Sequence, residues 1–503
     1  MPQKVARRGF LAWGAGAMLA GTALAACSGG AAQPTASTSS SATKSTAPST
    51  SPTAPSTSPT APSTSSTAST SSATAAPAQS SGSAQQITLR EARFPGVGWE
   101  QDPKYTAIFE QAHPNIKVTG EDTPYGQMYK KVLTQGATGT LADIFPGHTR
   151  WVSYWEYKGL CLELMPLVKT YADETKFDDF FPSIIKDMQG NPGANGKLYT
   201  FPTIVHPGGN AVVELNLDLI EKAGVKLPTQ AQMDTSDWTV KDLEAIIRGA
   251  GKPKGNIWGA SITYSSPLYS TQVTRSWSDS STEASPNSWV LSPDGKKDQL
   301  GSPNVKQSFE WYHQLVVDGF VPTSLVQTPG QGLDFFTAGQ EVAKTNIIAV
   351  QADGKKIGDK FKWTTLLWPK GANGYRGSCL SYNTWSLYSK TKYPDDTFHL
   401  LNTLTGTDCG FWAGYDGNAV PYCRHSIWFD QRNWTKYPIY KQGASWFQQG
   451  IDPFPMPWNL RAQEYQDSFM QNTQKYLDGK QDWSQMYTPT HDAVQKILDE
   501  PRP

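Results

Sequence analysis

The chain has 503 residues, with 44 basic and 44 acidic side chains that cancel at pH 7. That balance leaves no basic field for a nucleic acid and no strong steering of charged ligands, so recognition has to rest on shape, hydrogen bonds and stacking. Aromatic residues make up 12% with 18 Trp, although residues 1–86 carry only Phe10 and Trp13, and exposed indoles suit flat apolar ligand faces.

The first element is an export signal. Arg7-Arg8-Gly9-Phe10-Leu11 leads into a small-residue apolar run ending in Leu24-Ala25-Ala26-Cys27, and about 15 apolar residues are too few to span a ~30 Å hydrocarbon core. The tetrad resembles a bacterial lipobox, which implies a diacylated Cys27 as the mature N-terminus. The arginine pair resembles the twin-arginine signal but also fits an ordinary secretory n-region.

Residues 28–84 are almost wholly Ser, Thr, Ala and Pro, and Ser-Thr-Ser-Pro-Thr-Ala-Pro runs twice from Ser49 to Pro62. With nothing large and apolar to bury, this stretch is expected to be a disordered stalk with a reach of roughly 40 Å. From Ile87 onward the chain exceeds the ~250–300 residues of a single core, so two lobes are expected.

Strand and helix patterns alternate through the globular part as in an α/β protein. Ile87-Thr88-Leu89 reads as a strand and Pro103 to Ala112 as a helix with Tyr105, Ile108, Phe109 and Ala112 on one face. Asn115 to Val118 is the next strand, Gly126 to Ala137 the next helix, and Ala142-Asp143-Ile144-Phe145 returns to the sheet. Asn195-Gly196 reads as a hairpin turn, a helix runs from Leu217 to a stop at Gly224, and Thr239 three residues before Asp242 starts a helix through Ile247.

The order of these motifs resembles one family, the extracellular solute-binding proteins of ABC importers, in particular the sugar-binding group. The resemblance is carried by Phe109 to Val118, by Ala142-Asp143-Ile144 with Tyr157-Lys158-Gly159-Leu160, and by Gly196-Lys197-Leu198-Tyr199-Thr200-Phe201-Pro202. Asn216 to Val225, Asp237 to Leu243, Phe335 to Ala343, Leu367 to Gly371, Gly377 to Ser389 and Gly417 to Pro421 follow in order. It implies a two-lobed periplasmic-binding-protein-like α/β fold with a hinge and an interlobe cleft. The expected boundaries are signal peptide 1–27, linker 28–86, first lobe 87–205, second lobe 206–374, return to the first lobe 375–425, and second-lobe remainder 426–503. The implied activity is capture of a mono- or oligosaccharide for delivery to membrane permease subunits by a lipid-anchored monomer.

Position by position, the resemblance nominates His148, Thr149 and Trp151 after the third strand, and His206 and Asn210 near the first crossover. Trp458 matches a position that carries a stacking aromatic in sugar-binding members. Trp99, Trp385, and Trp412 with Tyr415 are weaker candidates, with core packing as their alternative. Thr345-Asn346-Ile347-Ile348 departs from the family, which commonly shows a Gly or Trp pair there; the Ser-rich stretch from Thr263 to Lys297 reads as a lid or a surface loop.

No cofactor is expected. The chain lacks CxxC and HExxH and its seven His are scattered, so a metal site has no support. Cys161, Cys379, Cys409 and Cys423 permit two disulfides, Cys409 with Cys423 being the local pairing and buried thiols the alternative. Two other functions remain open. A peptide or amino-acid binder would want a charge deep in the cleft, for which Arg376 or Arg424 could serve. A carbohydrate-active enzyme would need two carboxylates at hydrolytic spacing, drawn from residues such as Glu214, Asp218 and Asp416.

Overall fold

The computed structural model describes residues 85–95, 102–205, 212–253, 255–264, 266–279, 289–323, 334–346, 350–377, 381–417, 421–448 and 458–503. The expectations for the export signal, the linker, Cys27, Trp99, His206, Asn210 and Cys379 lie outside the described residues.

Two sheets organise the chain. The first has the order β2-β1-β3-β9-β4, from β1 (Ile87–Arg93), β2 (Ile116–Asp122), β3 (Ile144–His148), β4 (Thr200–Val205) and β9 (Tyr382–Leu387). β1 runs parallel to β2 and β3, as the intervening helices α1 (Asp102–Ala112) and α2 (Tyr125–Thr138) require, whereas β9 is antiparallel to both β3 and β4. The second sheet has the order β6-β7-β5-β8, from β5 (Val212–Asn216), β6 (Trp258–Ser261), β7 (Glu341–Asn346) and β8 (Trp363–Leu367). Helices flank both sheets, and β3 and β5 are buried along their whole length, as strands covered on both faces should be.

Each sheet has its own core. Leu89, Ile144, Phe145, Phe201, Trp385 and Leu387 anchor the first; Val213, Leu215, Ile247, Val342, Leu366 and Trp368 anchor the second. The chain passes from the first to the second between β4 and β5, and back between β8 and β9. The helix Pro438–Gln448 packs against β8 of the second sheet, with Gln442 Nε2 donating to Met233 O at 2.9 Å, and the helix Ala462–Leu477 carries Tyr465 and Phe469 into the second core. Ile427, Trp428 and Tyr440 are buried in a cluster that also takes in Val212 of β5 and Leu367 of β8.

Local chemistry sets several element ends. Thr239 and Asp242 form a reciprocal capping box at the helix Val240–Ala250, with Thr239 N–H donating to Asp242 Oδ2 at 2.8 Å. Asn195 and Gly196 both adopt positive φ, 51° and 81°. The turn they make, however, leads from the helix Pro182–Gly190 into β4 and is not a hairpin, since no strand precedes it.

Cys409 and Cys423 are separate buried thiols, not a disulfide. Tyr422 and Cys423 are sequence neighbours facing opposite ways: Tyr422 meets the Cys409 side, while Cys423 turns toward Phe181. The described part of residues 263–297 is anchored in the second core and surfaces in an exposed turn at Pro293, Asp294, Lys296 and Lys297. Tyr264, Val273, Val290 and Leu291 are in the second core, and the fully buried Arg275 lies over Trp289 at 5.0 Å and donates to Tyr375 Oη at 2.8 Å.

Candidate functional site

The carboxyl ends of β1 and β3 converge with the amino ends of α2 and of α3 (Thr149–Tyr157), the place where an open α/β sheet presents a ligand crevice. β3 ends in His148, whose extended backbone (φ −139°, ψ 149°) also makes it the N-cap of α3. Its Nδ1 accepts from the Arg150 backbone N–H at 3.2 Å and lies 3.3 Å from Arg150 Nε. With Nδ1 occupied as an acceptor, Nε2 carries the proton and donates to Ser381 Oγ at 2.7 Å. Burial, and secondarily the Arg150 charge, hold the His148 pKa well below its ordinary value, so the imidazole is neutral.

Around it sits an aromatic group. The Tyr125 ring lies 4.7 Å from Trp151, 5.1 Å from Phe94 and edge-on to His148 at 6.2 Å. Thr149 and Trp151 are buried with His148, and the Trp151 indole N–H donates to Gln463 Oε1 of the second lobe at 2.8 Å. The neighbouring Arg150 guanidinium pairs with Gln466 of the same helix. The amino end of α3 therefore holds both lobes together.

Trp458 precedes the helix Ala462–Leu477 and is half-buried against the first core. Its indole N–H donates to Asp187 Oδ1 at 2.8 Å, and Asp187 Oδ2 accepts from the Tyr382 hydroxyl at 2.6 Å. On the other side its backbone presses on the second lobe. Gly295 has φ 69° and so little room that a Cβ there would stand 2.1 Å from the Trp458 carbonyl oxygen; Asn459 Nδ2 donates to Gly295 O at 2.5 Å.

The structure thus brings together His148, Thr149 and Trp151 at one strand end, and bonds His148 to Ser381, the neighbour of Tyr382, which shares Asp187 with Trp458. It does not bring in Trp385 or Tyr415. Trp385 has no exposed surface; on β9 it pairs with Pro146 of β3 and Phe201 of β4 and belongs to the core, which corrects its nomination as a cleft residue. Tyr415 stacks on Phe411 at 5.2 Å beneath Lys436 Nζ at 4.0 Å, facing the helix Gln431–Lys436. Trp412 lies under Lys104 Nζ at 5.0 Å.

Sequence reasoning missed Tyr125, Asp187, Ser381 and Tyr382. Tyr125 opens a helix directly after a strand, the same signal that nominated Trp99. Asp187 has no local signal, because its partners are 195 and 271 residues away.

Arg376 and Arg424 are both committed elsewhere. Arg376 donates to the carbonyls of Leu367, Trp368 and Ser236, and Arg424 to those of Thr405, Lys176 and Thr175, with its guanidinium 4.1 Å above Phe180. Of the carboxylates considered for hydrolysis, Glu214 is fully buried in β5, Asp218 accepts from Lys362 N–H, and Asp416 pairs with Lys436 at 3.0 Å on the surface. Among the described residues, no group of three or more His, Cys, Asp or Glu could hold a metal ion.

Residues 92–408, well over half of the chain, match the family model for bacterial extracellular solute-binding proteins. The chain belongs to this family. An extracellular solute-binding protein works outside the cytoplasm. A protein of Brucella abortus (strain 2308) is 22% identical over 333 residues, covering 65% of this chain and 74% of that protein. Among solved structures, the Listeria monocytogenes ABC substrate-binding protein Lmo0181 in complex with cycloalternan superposes with a TM-score of 0.68 at 18% identity, over 82% of this chain and 99% of that one. The GacH receptor of Streptomyces glaucescens, solved unliganded and with acarbose, gives 0.66 at 16% identity, and an Agrobacterium radiobacter K84 solute-binding protein in complex with ribitol gives 0.66 at 19%, each over 82% and 99% of the two chains. These likenesses establish the two-lobed periplasmic-binding-protein-like fold of the solute-binding protein.

Proposed function

We propose that this solute-binding protein captures a carbohydrate or polyol in its interlobe cleft and delivers it to ABC permease subunits, tethered as a monomer by a lipid on Cys27. The observation that carries the reading is Trp458, a half-buried indole whose N–H is held by Asp187 of the first lobe and whose backbone rests on Gly295 of the second. An indole face matches the apolar face of a sugar ring, while neutral polar groups such as His148, Ser381 and Tyr382 suit hydroxyls. The carbohydrate and polyol ligands of the structural relatives support the same class of solute. A charged solute would require a buried countercharge, and the engagement of Arg376 and Arg424 with backbone carbonyls favours a neutral one.

The test is a thermal-shift screen of the globular part, residues 86–503, against saccharides, polyols, amino acids and short peptides. A ligand at 100 times its Kd stabilises by roughly 2.7 kcal/mol, enough to raise the Tm by about 3 °C. The expected result is a shift with one class of saccharide or polyol and no turnover of it. A response confined to amino acids or peptides would overturn the carbohydrate reading, and product formation would make the protein an enzyme. For the tether, Cys27→Ala is expected to release the protein from the membrane fraction.

A further inference from the structure

The Asp187 carboxylate joins two distant segments at once, through Trp458 Nε1 at 2.8 Å and Tyr382 Oη at 2.6 Å. An indole N–H can only donate. Tyr382 is buried and burial, reinforced by Asp187, pushes its pKa well above the ordinary value, so its hydroxyl stays a donor. The carboxylate therefore receives two donors from fixed directions, in bonds to a charged acceptor that are roughly twice as strong as neutral ones.

Asp187 rides on a rigid element. The helix Pro182–Gly190 begins with proline and buries Ile184, Ile185 and Met188. It ends at Asn191, whose side chain donates to Glu156 Oε2 at 2.8 Å and accepts from the backbone N–H groups of Gly193 and Ala194, each at 2.9 Å. On its far side, the Trp458 backbone is stopped by Gly295. An indole between two such stops has its ring plane set before a solute arrives, and a preset plane spares the cost of ordering the side chain on binding.

We propose that Asp187 is the positioning residue that fixes the Trp458 ring plane for stacking on the solute, by holding the indole N–H on one carboxylate oxygen while Tyr382 holds the other. The proposal rests on the reading of Trp458 as the stacking residue, and the experiment separates the two.

In the full chain labelled with ¹⁵N-indole tryptophan, the Trp458 side-chain resonance is assigned by its loss in Trp458→Phe, and needs no ligand. Asp187→Ala is expected to move that resonance, while Asp187→Asn, whose amide oxygen still accepts from the indole and whose NH₂ can turn to the tyrosine oxygen, keeps it near the native position. With the saccharide identified by the screen, Asp187→Ala is expected to weaken binding about 10-fold. Asp187→Asn should recover most of that loss. In the Trp458→Phe background, Asp187→Ala should cost less than about 2-fold, since the two residues act as a unit. A resonance unmoved in Asp187→Ala, or the same affinity loss in both backgrounds, overturns the proposal. If the native protein binds no saccharide, the stacking reading and the proposal built on it both fall, while a resonance moved in Asp187→Ala still establishes the Asp187 hold on the indole.

Discussion

Replacing Glu156 by Gln should change the pH dependence of stability in a defined direction. Glu156 is buried on α3, where Asn191 donates to it at 2.8 Å, and burial raises its pKa from 4.5 to about 8. Between those values the folded protein keeps the proton and the unfolded chain has lost it. The native state then binds more protons, so stability falls as pH rises; the contribution is whole below about 4.5 and gone above about 8. The interval from 4.5 to about 8, at ~1.4 kcal/mol per pH unit for one proton, sets a ceiling of roughly 5 kcal/mol. Glu156→Gln keeps an oxygen for Asn191 and cannot titrate. Urea unfolding followed by tryptophan fluorescence from pH 5 to 9 should show native stability falling relative to the variant by up to ~1.4 kcal/mol per pH unit, then levelling above about pH 8. Glu341 and Glu91, raised by burial to about 8 and about 7, act with the same sign in both proteins and cancel from the difference. A difference constant to within ~0.5 kcal/mol across that range would refute the reasoning.

Trp385→Phe should lower stability by about 1–3 kcal/mol in chemical denaturation and leave the solute Kd within about 2-fold, because the residue is core; a large loss of affinity with unchanged stability would return it to the cleft wall. Gln463→Ala combined with Gln466→Ala removes the contacts of Trp151 and Arg150 across the lobes, and should weaken solute binding by about 2- to 10-fold while enlarging the radius of gyration in X-ray scattering. Solute affinity should be flat from pH 8 down to about 6, since His148 is already neutral with its pKa depressed; its stabilising contribution is lost only as the pH falls below the unfolded value of about 6.5, where the unfolded chain takes up the proton first. Peptide mapping without reductant should recover Cys409 and Cys423 unlinked; a linked pair would contradict their orientation.

Much of the fold was written locally. Alternating strand and helix patterns from Ile87 to Phe145 gave the elements of the first sheet's parallel part, and Thr239 with Asp242 gave a helix start to the residue, because caps depend on neighbours three positions apart. What stayed hidden depends on distant pairing. Nothing near Tyr382 says that β9 inserts antiparallel between β3 and β4, and nothing near Asn195-Gly196 says whether a helix or a strand precedes the turn. The candidate site was half legible for the same reason. His148 and Trp458 were reachable through the motif order, but the many tryptophans carry no mark distinguishing Trp385, sealed in the core, from the half-buried Trp458. Asp187, surrounded in sequence by ordinary helix residues, gains its role from partners contributed by two other segments.

The central claim, that Trp458 serves a solute held between the lobes, is tested most directly by calorimetric titration of the native protein and of Trp458→Ala with the saccharide or polyol that gives the largest thermal shift. The account predicts saturable binding of one solute per chain by the native protein and an affinity loss of 10-fold or more in the variant, with its fold intact. Equal affinity in both proteins, or no heat with any saccharide or polyol beside clear binding of a peptide or amino acid, would contradict it.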